Sequence, residues 1–104
     1  MDKLPSRAFF VRVKDDSMAS NDPDCSFPPG TYLAVDPDRL AENQSFVVAF
    51  LPDANEQTFR QLVIGGERRY LKPLNPRYPL IACTERTEIV GVVFFTGRSL
   101  IPCD

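Results

Sequence analysis

The sequence predicts an all-β domain of about seven short strands. Three observations predict it. Short runs rich in β-branched and aromatic residues recur along the chain, several of them alternating in polarity. Ten prolines interrupt the chain between those runs. No stretch of a dozen residues carries a clean 3.6-residue apolar period. At 104 residues the chain can bury one core, so it reads as a single domain over residues 1–104.

The first run, Ala8–Lys14, sets Phe9, Val11 and Val13 on one face and Phe10, Arg12 and Lys14 on the other. A short helical turn is expected after Asp16-Ser17-Met18, where Ser17 could serve as a helix N-cap. Thr31–Asp36 and Ser45–Leu51 are the next strands. Thr58–Ile64 and Arg68–Leu71 flank Gly65-Gly66-Glu67, whose glycines supply the positive φ of a tight hairpin, with Arg68-Arg69 at a solvated tip. Thr87–Thr96 is apolar on both faces, so it is either central or covered by a partner. The Asp-rich pieces (Asp15-Asp16, Asp22-Pro23-Asp24, Asp36-Pro37-Asp38) suit turn and cap chemistry rather than catalysis or calcium.

Composition excludes much. There is no histidine, which removes Ser-His-Asp, Cys-His and His-metal sites together. Cys25, Cys83 and Cys103 form neither a CxxC pair nor an even framework, so a reduced, cytoplasmic chain without a metal or cofactor is expected. No apolar run approaches the ~20 residues of a membrane span. A net charge of -2 argues against nucleic-acid binding by this surface. A hydrolase would need a Ser-Lys dyad drawing on Lys3, Lys14 or Lys72, or a carboxylate pair, because arginine cannot lose its proton at usable pH.

Several blocks occur in a telling order: Phe9-Phe10-Val11-Arg12-Val13, Asp15-Asp16-Ser17-Met18, Phe27-Pro28-Pro29-Gly30, and Thr58-Phe59-Arg60-Gln61-Leu62. Tyr70-Leu71-Lys72-Pro73-Leu74-Asn75-Pro76-Arg77-Tyr78-Pro79 and Ile89-Val90-Gly91-Val92-Val93 follow. From about Phe9 to Gly97 the chain resembles the C-terminal domain of lambdoid phage repressors, the LexA/UmuD-type S24 peptidase fold. The Leu-Lys-Pro-Leu-Asn-Pro-x-Tyr-Pro block is the specific part of the match.

The resemblance implies a nucleophile position at Ser17, an oxyanion position at Met18 and a general-base lysine on the Thr-Phe-Lys strand. Here that strand reads Thr58-Phe59-Arg60. A guanidinium stays charged and cannot take the serine proton, so the dyad is expected to be dead. Lys72 is set aside as a substitute base because Pro73 is expected to carry the chain away from the Arg60 strand, and Lys14 reads as solvated. The family cuts itself at an Ala-Gly or Cys-Gly bond. None of the five glycines here follows Ala or Cys, and none precedes Ser17.

The function implied is self-association of a phage or prophage repressor. A homodimer, and in relatives a higher oligomer, brings two operator-reading helices onto a palindrome. The seven residues ahead of the first strand cannot supply a helix-turn-helix, so operator DNA is expected to be read by a domain outside this chain. Leu62, Ile64, Tyr70, Phe94 and Phe95 are the interface candidates. Strand alternation predicts that one of Phe94 and Phe95 enters the core and the other meets the partner. With self-cleavage closed, an antirepressor protein is the expected inducer. Were Arg60 a replacement for a natural lysine, the resemblance would imply a RecA-stimulated self-cleaving peptidase or a UmuD-like protein instead.

Overall fold

The computed structural model describes residues 5–98, so Lys3 and Cys103 lie outside the described residues. Seven strands are present among them: β1 (Phe9–Arg12), β2 (Tyr32–Asp36), β3 (Phe46–Leu51), β4 (Glu56–Gly65), β5 (Arg68–Lys72), β6 (Ile81–Ala82) and β7 (Glu88–Gly97). They form one antiparallel sheet in the order β1-β2-β7-β3-β4-β5-β6. The all-β expectation holds. The six longer strands fall where the apolar runs lie, and the two-residue β6 has no comparable run.

β7 is interior, hydrogen-bonded to β2 on one side and β3 on the other. Its double-sided apolarity therefore comes from centrality. Val90 and Val93 pack on one core cluster, with Met18, Leu33, Val35, Val48 and Phe59. Ile89 and Val92 belong to the second, with Val47, Ala49, Leu62 and Leu71. Gly91 lets β7 approach β2 closely: a Cβ there would lie 2.6 Å from Val35 Cγ1 and 2.9 Å from the Asp36 carbonyl oxygen.

Two bulges break the period of β7. Phe94 is the extra residue between the Val35–Val93 and Ala34–Phe95 pairs, and Val90 is extra between Val48–Gly91 and Ala49–Ile89. Strict alternation therefore fails at Phe94-Phe95. Neither ring joins a core cluster. Phe94 is half-buried beneath the Arg39 guanidinium, 5.5 Å from the ring centre, and Phe95 is 60% exposed.

Local chemistry shapes the connections. Asp15, Asp22 and Asp36 each accept the backbone N–H two residues on through Oδ1, at 2.9–3.0 Å. The β4–β5 hairpin turns through Gly66 and Glu67, with Gly66 alone of the two hairpin glycines at positive φ (+63°). After Asp16 the chain makes one hydrogen-bonded turn, Ala19 N–H to Asp16 C=O at 3.1 Å, and no helix occurs among the described residues. Ser17 is thus not a helix cap. The wall beneath this turn is aromatic, with Phe27 edge-on to Phe46 and Phe59 at 5.1 and 5.4 Å.

Candidate functional site

Ser17 and Met18 occupy a tight turn that the core holds from below. Met18 is fully buried among Leu33, Val35 and Val48, and its carbonyl accepts the Phe27 N–H at 2.8 Å. That anchor leaves Ser17 only 1% exposed, directed at β4. Its Oγ donates to Asp15 Oδ1 at 2.7 Å and accepts from Arg60 Nη1 at 2.6 Å. The two residues singled out from the sequence, 43 positions apart, are in direct contact.

Arg60 is buried, 6% exposed. Nη1 also donates to the Phe59 carbonyl at 2.8 Å, while Nε is buried without a partner among the described residues. Burial pulls the guanidinium below its ordinary value, and Asp15, then Glu56 and Tyr78, pull it back. From a starting point above ~12 it keeps its proton. Burial would raise the Asp15 carboxyl, but the Ser17 hydroxyl, the Ser17 amide and the Arg60 charge outweigh it and hold the pKa below its ordinary value. A carboxylate so stabilised is a weaker base than a free one.

The chemistry available follows from those contacts. The serine proton faces a weakly basic carboxylate, and the serine lone pair is engaged by a permanent donor. Among the described residues the acceptor of that proton is the Asp15 carboxylate, and no neutral amine touches Oγ. A cleft of about 410 Å³ opens in front of the pair, walled by Val11, Val13 and Lys14 on one side and Gln57, Thr58 and Phe59 on the other.

The sequence reading passed over three participants. Asp15 was legible as a turn former but also binds the hydroxyl. Asn75 and Tyr78 lie in the proline-rich block after β5. The chain beyond Pro73 does not leave the site as expected: it returns, so that Asn75 N–H reaches the Ser17 carbonyl at 2.9 Å. Lys72 is exposed on β5, paired with Gln61, and Lys14 is exposed at the cleft rim. Of the interface candidates, Leu62 is 1% exposed and cannot form a surface contact, because it fills the second core cluster. Ile64 and Phe95 are exposed, and Tyr70 and Phe94 half-buried. Among the described residues no acidic, Cys or His group gathers into a metal site.

A serine on a core-anchored turn is thus met by a cation from β4 of one antiparallel sheet. The chain belongs to the Peptidase S24-like family, whose model matches residues 1–94. It is 49% identical over 91 residues to an HTH-type transcriptional regulator for conjugative element R391 of Providencia rettgeri, covering 88% of this chain and 42% of that protein. Repressor protein C2 of Salmonella phage P22 is 42% identical over 95 residues (91% and 44%). The prophage repressor CohE of Escherichia coli strain K12 is 36% identical over 92 residues (86% and 39%). The chain thus spans less than half the length of these relatives. No helix among the described residues is long and apolar enough to cross a membrane.

Proposed function

We propose that this chain is the self-association domain of a transcriptional repressor, with an S24-type site that no longer cuts peptide bonds. The observation that carries the inactive-site reading is the 2.6 Å contact from Arg60 Nη1 to Ser17 Oγ. The base position is filled, and filled by a group that cannot accept a proton. The relatives named as regulators and repressors support the regulatory role. Operator DNA is read by a helix-turn-helix domain outside this chain, in keeping with the net charge of -2 here.

Self-association is supported by Phe10 and Phe95, 55% and 60% exposed, which lie in one cross-strand row on either side of buried Ala34. Exposed aromatics so grouped mark a contact surface. β7 itself is central, so its two-sided apolarity calls for no partner. With self-cleavage closed, an antirepressor protein that binds the repressor supplies induction.

Alkaline incubation tests the enzymology. The full-length protein should remain one band at pH ~10, where a lysine dyad is substantially deprotonated. Arg60→Lys, with an Ala-Gly or Cys-Gly bond upstream, should cleave itself slowly, and adding Ser17→Ala should stop it. Cleavage of the unaltered protein would overturn the inactive reading.

A further inference from the structure

The segment Pro73–Pro79 makes three hydrogen bonds to two consecutive residues of the serine turn. Asn75 N–H donates to the Ser17 carbonyl at 2.9 Å, Asn75 Nδ2 to the Asp16 carbonyl at 3.0 Å, and Tyr78 Oη to Asp16 Oδ1 at 2.6 Å. The Tyr78 ring also lies against Arg60, with the guanidinium carbon 5.9 Å from the ring centre. One side chain therefore touches both sides of the Ser17–Arg60 pair: the turn through Asp16 and the cation through its π-face.

The segment is built to hold a position. Prolines at 73, 76 and 79 restrict φ, so little conformational entropy remains to be lost on docking. Pro73 is buried and Leu74 packs on the first core cluster, which fixes the start of the segment. Inside it, Arg77 N–H donates to Asn75 Oδ1 at 3.0 Å and Tyr78 N–H to the Asn75 carbonyl at 3.1 Å, a closed turn that aims the Tyr78 hydroxyl. Apart from buried Met18 and its bond to Phe27, the serine turn has less of its own. Its local bonds are the Asp15 carboxylate and the single Asp16–Ala19 turn, and Asp15 and Asp16 are exposed.

We propose that Pro73–Pro79 is a strap that sets the Ser17 turn, and that Tyr78 is its positioning residue, acting through Asp16. The proposal deepens the reading of the Ser17–Arg60 site and is independent of self-association. Amide hydrogen exchange on the chain tests it, following the Asn75 N–H that bonds to the Ser17 carbonyl. Tyr78→Phe and Asp16→Ala should each lower protection there about five- to tenfold, while amides of β3 and β4 keep theirs. The double variant should lose no more than either single one, because both remove the same bond. Asp16→Asn, which retains the Oδ1 acceptor, should restore protection. Unchanged protection at Asn75 in Tyr78→Phe would overturn the proposal. So would a loss shared in step with the strand amides, which is the mark of general destabilisation. Sedimentation of the same samples reports association separately, so a monomeric chain with the local loss would sink the dimer and leave the strap standing.

Discussion

The serine turn and the outer row of Phe10, Ala34 and Phe95 meet solvent in opposite ways. At Ser17 polar groups are drawn inward and partnered: the hydroxyl both donates and accepts, and Arg60 Nε is the one buried side-chain atom without a partner among the described residues. On the outer row the strand backbones are paired while two large rings stand open. A buried polar cluster persists when its members largely satisfy one another, and here all but one buried atom finds its partner within the chain. An exposed apolar row costs free energy until something covers it. The first region is held from within, and the second is the surface that the proposed self-association would cover.

The largest expected effect probes how the serine turn is anchored. Met18→Ala should cost about 3 kcal/mol, the range for truncating a fully buried side chain. Urea denaturation measures it, and a loss under ~1 kcal/mol would mean that the core does not hold the turn. Next comes the interior of the sheet. Gly91→Ala should cost about 2–3 kcal/mol, because its Cβ would strike Val35 and the Asp36 carbonyl. A neutral result would show that β2 and β7 can separate freely, contrary to a central β7.

Phe95→Asp sharpens the contrast. The ring is exposed, so stability of the monomer should change by no more than about 0.5 kcal/mol. If the proposed dimer forms through this row, sedimentation should nonetheless show that it has been lost; a standard interface buries about 1,600 Å² in total. If the variant unfolds, the ring is structural. If it stays dimeric, the interface lies elsewhere, with the Ile64–Tyr70 hairpin next to test.

The smallest effect is the acid response of Asp15. Its folded pKa lies below the unfolded one, since the bonds from Ser17 and the charge of Arg60 outweigh the opposing effect of burial. The carboxylate therefore contributes stability above its unfolded pKa, and that contribution is lost as pH falls through the folded value. Asp15→Ala should flatten the acid limb of stability against pH by a small amount, because the residue is exposed. An unchanged limb would remove Asp15 from the network around Ser17.

Sequence and structure part company at identifiable places. Strands β1 to β5 and β7 were legible because alternation and β-branched runs are properties of neighbouring residues. The aspartate turns were legible because their bonds span two residues. Leu62 was misassigned to the surface because strand period distinguishes two faces without saying which of them is covered, and here a second core cluster covers its side. The expectation that one of Phe94 and Phe95 enters the core failed because one extra residue in a ladder reverses every phase argument beyond it.

Within the sequence alone lay the chemical identity of the site's residues: a serine after two aspartates, and an arginine where the family resemblance implies a lysine. Side-chain identity carries proton affinity with it, and no folding event turns a guanidinium into a base at neutral pH. The meeting of those residues was settled by long-range pairing. Asp16 finds Asn75 and Tyr78 across 59 and 62 positions, and Ser17 finds Arg60 across 43. Such contacts depend on where whole strands lie in the sheet. Strand order is set by the total burial of two core clusters, which no local run of residues encodes.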